Sequence, residues 1–206
     1  MPVANAVQDP KKHQSILDAS VEVFAEQGFG GADVDVIAER AGVGKGTIYR
    51  YFGSKQDLFL ATADAGMQML EASILEAIEG LADPVEVIRR SGKAYGEFFR
   101  KHPRFVEILI LERAEFRGSI ADTHLVYRAK NRGILDEIIK RGVRDGTFRK
   151  VDVREATNAF ANLLYGTVVT GCIEGNSGKL GRAIEQAIDI YVHGILAQPL
   201  RNGEEA

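Results

Sequence analysis

The sequence predicts an all-α protein of about nine helices, and three observations support this fold class. Apolar residues recur at helical spacing along the 206 residues, whereas no apolar–polar alternation is long enough to indicate a strand. Capping patterns mark helix starts, and glycines mark helix ends. The predicted helices span residues 11–27, 34–41, 45–52, 54–79, 84–101, 103–116, 120–144, 153–174 and 179–197.

Start and stop signals justify these boundaries in order along the chain. A side-chain acceptor is followed three positions later by an acidic residue at three helix starts, namely Ser54 with Asp57, Asp83 with Glu86, and Asp152 with Glu155. The glycines expected at helix ends are Gly28, Gly42, Gly80, Gly142 and Gly146. Loops are therefore short, and no flexible linker is implied.

Composition excludes several classes of protein. With 45% hydrophobic and 27% charged residues, the chain is not disordered as a whole. The single cysteine, Cys172, excludes an intrachain disulfide and a cysteine-rich zinc cluster. The chain starts without a signal peptide and contains no 18-residue apolar run, so we expect a cytoplasmic protein without a membrane span. We predict no catalytic residue, no metal site and no cofactor, because the four histidines are scattered and no phosphate-cradling loop is present.

The first three helices have the pattern of a helix-turn-helix unit. Helices 34–41 and 45–52 are joined by a short turn, and such helices cross at roughly 90–120°. Close approach requires a small residue in the first helix, which Ala38 supplies. The turn requires a residue free to adopt a positive φ, which Gly42 supplies. Helix 11–27 would complete a three-helix unit.

A window without acidic residues covers the second of these two helices. Between Arg40 and Gln56 there are four basic residues and no acidic one, although the chain carries a net charge of −3. Cations and hydroxyl groups on a short helix suit the major groove, where phosphates and base-edge acceptors face a protein. Similar turns occur in helical hairpins that touch no DNA, and such a charge gap also arises by chance. Charge and turn alone leave both interpretations open.

Five short motifs occur in order: Ile-Leu-x-Ala, Gly-Phe, Ile-Ala-x-x-Ala-Gly-Val, Gly-Thr-Ile-Tyr-x-x-Phe and Ser-Lys-x-x-Leu. Their residues are Ile16, Leu17, Ala19, Phe24, Gly28, Phe29, Ile37, Ala38, Ala41, Gly42, Val43, Gly46, Thr47, Tyr49, Phe52, Lys55 and Leu58. Residues 16–61 thereby resemble the DNA-binding domain of the tetracycline-repressor (TetR) family of bacterial transcription regulators. Asp33 and Gly44 depart from it, standing where the family usually has Ser or Thr. Asp33 is still a good N-cap but would repel a phosphate, and Gly44 removes a possible phosphate donor.

The resemblance implies which residues contact DNA, namely Lys45, Gly46, Thr47, Tyr49, Arg50, Tyr51 and Lys55. Arg50 is the best candidate for bidentate readout of a guanine, and Lys45 and Thr47 are expected to reach base edges or adjacent phosphates. The glycine lets the backbone approach the groove. The two tyrosines and Lys55 correspond to phosphate-binding positions, which fix register without reading sequence. For Tyr51 the alternative is a core aromatic under the helix.

The resemblance also divides the chain into two domains. Residues 1–55 would form the DNA-binding domain, with residues 1–10 as a flexible arm, and residues 56–206 a larger helical domain for ligand binding and dimerisation. Helices 153–174 and 179–197 carry apolar stripes that would form a four-helix interface with their twins. The stripe residues are Ala156, Phe160, Leu163, Leu164, Thr167 and Gly171, then Leu180, Ile184, Ala187, Ile188, Tyr191 and Ile195. The alternative is that the stripes are buried within one chain.

Polar residues on apolar helix faces are candidates for a small-molecule site. Together with one aromatic wall residue they are Phe105, Glu112, His124, Tyr127 and Asn131. Convergent polar groups in an apolar lining are what such a site requires. The alternatives are that Glu112 pairs with Arg128 or with Arg113 of a neighbour, and that His124 is an ordinary core histidine.

These observations predict a ligand-responsive homodimeric repressor. It would bind an inverted-repeat operator in double-stranded DNA through helix 45–52 and be released by a small-molecule effector in its C-terminal half. An enzyme and a helical adaptor protein are the competing interpretations. No His-Glu-x-x-His pair or Gly-x-Ser-x-Gly elbow supports an enzyme, and the retained recognition-helix residues argue against an adaptor. The effector, the operator sequence, and repression as against activation stay open.

Overall fold

The computed structural model describes residues 9–116, 123–175 and 177–197, and this part of the chain is helical, as predicted. The helices are α1 (Pro10–Gly31), α2 (Val34–Ala41), α3 (Lys45–Phe52), α4 (Lys55–Ile78), α5 (Pro84–Lys101), α6 (Arg104–Glu115), α7 (Thr123–Arg144), α8 (Val153–Ile173) and α9 (Leu180–Ile195). A 3-10 turn at Ser177–Lys179 precedes α9, and one isolated bridge joins Phe148 to Leu196. Most of the predicted arm and the predicted helix start at residue 120 lie outside the described residues.

The predicted caps are formed at three helix starts. The Ser54 hydroxyl accepts from the Asp57 amide at 3.1 Å and donates to the Asp57 carboxylate at 2.6 Å. The Asp152 carboxylate accepts from the Glu155 amide at 2.9 Å. The Asp83 carboxylate likewise caps α5, with the amide two positions on as its donor. Local sequence therefore determines these starts, because each cap involves neighbouring residues alone.

The predicted glycine stops are confirmed except at one position. Gly42 adopts the left-handed conformation with φ 67°, and Gly28 interrupts α1 with φ 70°. Gly142 does not end a helix but lies inside α7, so that prediction was wrong. The physical reason is packing, because a Cβ at Gly142 would overlap the ring of Phe148.

The described helices pack as two compact units. The N-terminal unit, up to residue 69 and again over 102–127, contains α1–α3, the first part of α4, α6 and the start of α7. The C-terminal unit, over 70–101 and from 128 onward, contains the remainder. The division into functional domains at residues 1–55 and 56–206 stays a prediction, because packing groups helices by contact and not by function.

An aromatic cluster fixes the turn that follows α1 in the N-terminal unit. Phe29 lies next to that turn, and its ring centroid is 5.4 Å from Phe59 of α4 and 4.9 Å from Phe116 after α6. Phe24 of α1 packs edge-on against Phe59 at 5.0 Å. Edge-to-face pairs of this kind add to the free energy of burying the rings. The helix-turn-helix is thus attached to α4 and α6 through a common core.

In the C-terminal unit, α9 directs its whole predicted stripe into the chain's own core. All six stripe residues of α9 are buried, and Ile184 and Ile188 fill the space beside glycines of α5. On α8, Leu163, Thr167 and Gly171 remain partly accessible. The prediction that the α9 stripe faces a twin is therefore wrong, because α5 and α8 already cover it.

Candidate nucleic-acid interface

The helix-turn-helix is built by two caps and one buried plug. The Asp33 carboxylate accepts from the Asp35 amide at 2.8 Å and so begins α2, as predicted. Gly42 ends it, with its amide donating to carbonyls of the last turn. The helix α3 begins after Gly44 without a side-chain cap, and Ile48 is its one fully packed residue. The remaining side chains of α3 are therefore exposed or half-buried.

Four of the predicted DNA-contact residues share the exposed side of α3. Lys45, Gly46, Tyr49 and Arg50 are exposed, and their i, i+4 spacing places them along one face. The Tyr49 side chain is 40% exposed. Nothing lies within 4 Å of the position that a Cβ at Gly46 would occupy. This face is open to a large partner.

The Arg50 guanidinium is the best-placed group on this face for reading a base. It lies over the ring of Tyr51, 5.9 Å from the centroid, which extends it along the helix surface. Among the described residues it takes part in none of the ion pairs. Its donors therefore remain available for the two acceptors of a guanine edge.

Lys45, by contrast, is held by an acidic residue of the preceding helix. Its Nζ lies 2.8 Å from the Asp35 carboxylate, with 45% and 61% of the two side chains exposed. This hydrogen bond, followed by weaker charge effects that include Asp33, raises the pKa of Lys45. Asp35 is a residue of the interface that the sequence reasoning did not single out. Its signal was the position in the first turn of α2, which packs on α3.

A second acidic residue occupies the arginine at the end of α2. Arg40 pairs with Glu26 of α1 at 2.8 Å, and Arg104 of α6 lies 3.2 Å from Glu22 and 3.5 Å from Glu26. The hydrogen bond from Arg40 holds the pKa of Glu26 below its usual range. The window without acidic residues is thus a property of the sequence and not of the surface, because acids of α1 and α2 fold against two of its four cations.

Tyr51 and Lys55 are half-buried and bind within the N-terminal unit. The Tyr51 hydroxyl accepts from the Asp9 amide at 2.9 Å, where α1 begins. The Lys55 ammonium lies 5.1 Å from the centroid of the Phe29 ring and donates to the Gly30 carbonyl at 3.3 Å. Both residues tie the end of the recognition segment to α1. Their phosphate-binding roles stay predictions.

The predicted effector residues are divided between the two units. Phe105, Glu112 and His124 are buried in the N-terminal unit, where Glu112 accepts from the amide of Thr123 at 3.0 Å and also from its hydroxyl. The His124 and Tyr127 rings lie 6.3 Å apart. The remaining candidate, Asn131, is half-buried and belongs to the C-terminal unit. Arg128, considered above as a partner of Glu112, donates to Asn162 at 2.9 Å.

One small cavity borders these residues. It has a volume of about 180 Å³, lies between α1, α4 and α6 of the N-terminal unit, and has Phe105 in its lining. Within the described residues, no three His, Cys, Asp or Glu side chains are grouped as metal ligands would be. Over the same residues, no helix has the length and hydropathy to cross a membrane.

The fold and the helix-turn-helix define a class of DNA-binding transcription regulators, and comparison with known proteins identifies the family. Residues 16–62 match the family model for bacterial regulatory proteins of the tetR family, and residues 84–171 match a tetracyclin repressor-like C-terminal domain. The HTH-type transcriptional repressor NicS of Pseudomonas putida is 32% identical over 167 residues, which cover 78% of this chain and 77% of NicS. The chain therefore belongs to the TetR family.

Relatives that act in fatty acid metabolism also match along most of the chain. The fatty acid metabolism regulator protein of Bacillus subtilis is 26% identical over 196 residues, covering 91% of this chain and 97% of its own. The crystal structure of the transcriptional regulator FadR from Bacillus subtilis in complex with stearoyl-CoA superposes with a TM-score of 0.75. It is 27% identical to this chain and covers 89% of it and 99% of FadR. This chain is a helix-turn-helix transcription regulator with a C-terminal helical domain of the same family.

Proposed function

We propose that this protein is a homodimeric repressor that binds an inverted-repeat operator through α3 and releases it when a small molecule binds. The observation that carries the proposal is the open face of α3, on which Arg50 keeps its guanidinium free of ion pairs among the described residues. Repression is supported by NicS, whose printed name is that of a repressor. Such a regulator would act in the cytoplasm, where bacterial DNA is found.

A homodimer supplies the second recognition helix that an inverted repeat requires. The surface proposed for it is the side of α8 and α9 that α5 leaves uncovered. A groove of about 590 Å³ runs there, lined partly by Leu163, Gly166 and Thr167, and glycine permits close approach of another backbone. Ile173 and Ile190 are more than two-thirds exposed on the same two helices. Burial of these side chains against a second copy would be favourable.

The operator spacing follows from this arrangement. Two-fold symmetry places the recognition helices on half-sites about one helical turn of DNA apart, or a multiple of it. One short helix makes few base contacts, so the second copy roughly doubles the contacts that distinguish the operator from other DNA. The contacts proposed for each copy are those of Lys45, Thr47 and Arg50 to bases or adjacent phosphates, with Tyr49, Tyr51 and Lys55 on phosphates.

The first effector class that we propose is a long-chain acyl thioester. Its support is the similarity to the Bacillus subtilis regulator whose structure contains stearoyl-CoA. In this chain the candidate residues near the acyl chain are Phe105, Glu112, His124, Tyr127 and Asn131. Release of the operator would require that the effector bind one conformation more tightly than the other, since that difference is the whole driving force.

The experiment that tests the proposal is selection of genomic DNA fragments by the purified protein, repeated for Arg50→Ala. We expect one inverted repeat from the native protein, and loss of its enrichment with the variant. Arg182→Ala is the matched control, because Arg182 is an exposed arginine of α9 outside the proposed interface. Stearoyl-CoA, with coenzyme A alone as its control, is then added to the bound operator.

Enrichment of one repeat by the native protein and by Arg182→Ala alone would support the proposal. Enrichment of no sequence at low salt would overturn it. Equal enrichment by Arg50→Ala would overturn the role of Arg50. Release by neither compound would overturn the acyl thioester and leave the operator assignment in place.

A further inference from the structure

We propose that Asp35 is a specificity-determining residue, whose carboxylate occupies Lys45 on non-cognate DNA and yields it on the operator. The inference rests on the proposed contact between α3 and DNA. Its consequence is that the ion pair weakens binding to arbitrary sequences more than it weakens binding to the operator. The two residues belong to different helices and are joined at 2.8 Å on the face that would meet DNA.

The position of the pair follows from the helix starts. Asp35 lies in the first turn of α2, just after the cap Asp33, whose carboxylate accepts the Asp35 amide. Lys45 is the first residue of α3 and has no side-chain cap beside it. Two carboxylates therefore stand next to the one cation at the start of the recognition helix. A positive charge at a helix N-terminus is electrostatically unfavourable, and Asp35 offsets it.

Fold stability does not explain the pair. Both side chains are largely exposed, at 45% for Lys45 and 61% for Asp35. Ion pairs in water contribute little to folding, because solvent screens them and ordering two long side chains costs entropy. The buried plug of α3 is Ile48, which neither residue replaces. A functional effect on the DNA face is therefore the remaining consequence of the charge.

The expected effect on DNA follows from counterion release. Binding to arbitrary DNA is driven by cations that neutralise phosphates and release their counterions. A lysine already paired with a carboxylate releases no counterion until that pair opens, and its partner repels the phosphate. On the operator, base contacts by neighbours such as Arg50 hold α3 in register, so exchange of Asp35 for a DNA acceptor is compensated. Specificity is a difference of affinities, and the pair increases that difference.

The test is the salt dependence of the Kd for an operator fragment and for a scrambled fragment, compared between the native protein and Asp35→Asn. We expect Asp35→Asn to tighten binding to the scrambled fragment about five- to tenfold and to steepen its log–log salt slope by roughly 0.9, the value for one further phosphate contact. Operator affinity should change less than about twofold, so the specificity ratio falls. Asp64→Asn is the matched control, because it removes an exposed carboxylate of α4 that binds only Gln68 among the described contacts.

A second variant separates the pair from a general charge effect. In a Lys45→Gln background, Asp35→Asn should leave the salt slope unchanged, because no lysine is released. An equal gain for both fragments, an equal gain in Asp64→Asn, or a persistent steepening in the Lys45→Gln background would overturn the inference. If the native protein binds operator and Asp35→Asn leaves the ratio intact, the inference alone fails. If the native protein binds no DNA, the proposed function fails with it.

Discussion

The glycines of α3 and α5 stand in opposite surroundings. Gly96 of α5 is buried, and a Cβ there would come within 2.8 Å of the Ile184 side chain of α9. Gly46 of α3 is exposed, with nothing within 4 Å of the corresponding position. Glycine inside a helix costs roughly 0.5–1 kcal/mol relative to alanine. At Gly96 close packing of two helices offsets that cost, whereas at Gly46 no contact within the chain offsets it.

The difference teaches where the protein has given up stability. At the α5–α9 contact, glycine serves the fold, and Gly92 repeats the arrangement one turn earlier against Ile188. On α3 it serves a contact outside the chain, since a missing Cβ lets the backbone approach a groove. Substitution at the two sites should therefore separate stability from DNA binding, with effects that decrease from the packed site to the open one.

The largest effect is expected from Gly96→Ala. The new methyl would press on the Ile184 side chain, and overpacking of this kind costs typically 1–3 kcal/mol. For a chain of this length that lowers the Tm by about 2–4 °C for each kcal/mol. Thermal unfolding of the variant measures it. Gly181→Ala is the control, because a Cβ on that helical residue of α9 meets nothing within 4 Å. A Tm as high as that of the control would contradict the packing argument.

A smaller effect, of opposite kind, is expected from Gly46→Ala. Helix propensity should leave the Tm unchanged or raise it, because alanine is the better helix former and has free space here. The methyl would separate the backbone from the groove, and we expect operator affinity to fall about tenfold, which corresponds to about 1.4 kcal/mol. Operator titration by fluorescence anisotropy gives the affinity. The control is Gly133→Ala on the exposed side of α7, which should bind operator normally. Full affinity of Gly46→Ala would remove the proposed close approach.

The two glycine sites also show how far the sequence predicts the molecule. Spacing and caps predicted the helices, because the residues that fix a helix end are neighbours in the chain. Periodicity identified the buried face of α9 but not what covers it, since α5 and a twin would select the same apolar residues. For the same reason it missed that Gly142 makes room for Phe148.

The interface was predicted in its residues but not in its charge. The turn motif located α3, and its exposed side carries Lys45, Gly46, Tyr49 and Arg50 as expected. The partner of Lys45 lies ten residues earlier, on another helix, and no local spacing rule connects Asp35 to it. Ion pairs between elements depend on the tertiary fold, so a charge count along the chain overstates the free positive charge of the surface.

The smallest effect sharpens the comparison within the packed region. The buried Tyr191 of α9 donates from its hydroxyl to the Ala156 carbonyl at 2.8 Å, and burial raises the pKa of Tyr191. We expect Tyr191→Phe to cost about 1 kcal/mol, the usual net contribution of one hydrogen bond. Because the folded pKa lies above the unfolded value of about 10, this contribution is complete below pH 10 and is lost as the pH rises further. Urea midpoints of both proteins at pH 7 and pH 10.5 would show the native protein losing part of its advantage. Tyr49→Phe, which alters an exposed hydroxyl of α3, should leave the pH 7 midpoint unchanged. An equal loss there would mean that burial does not distinguish the two regions.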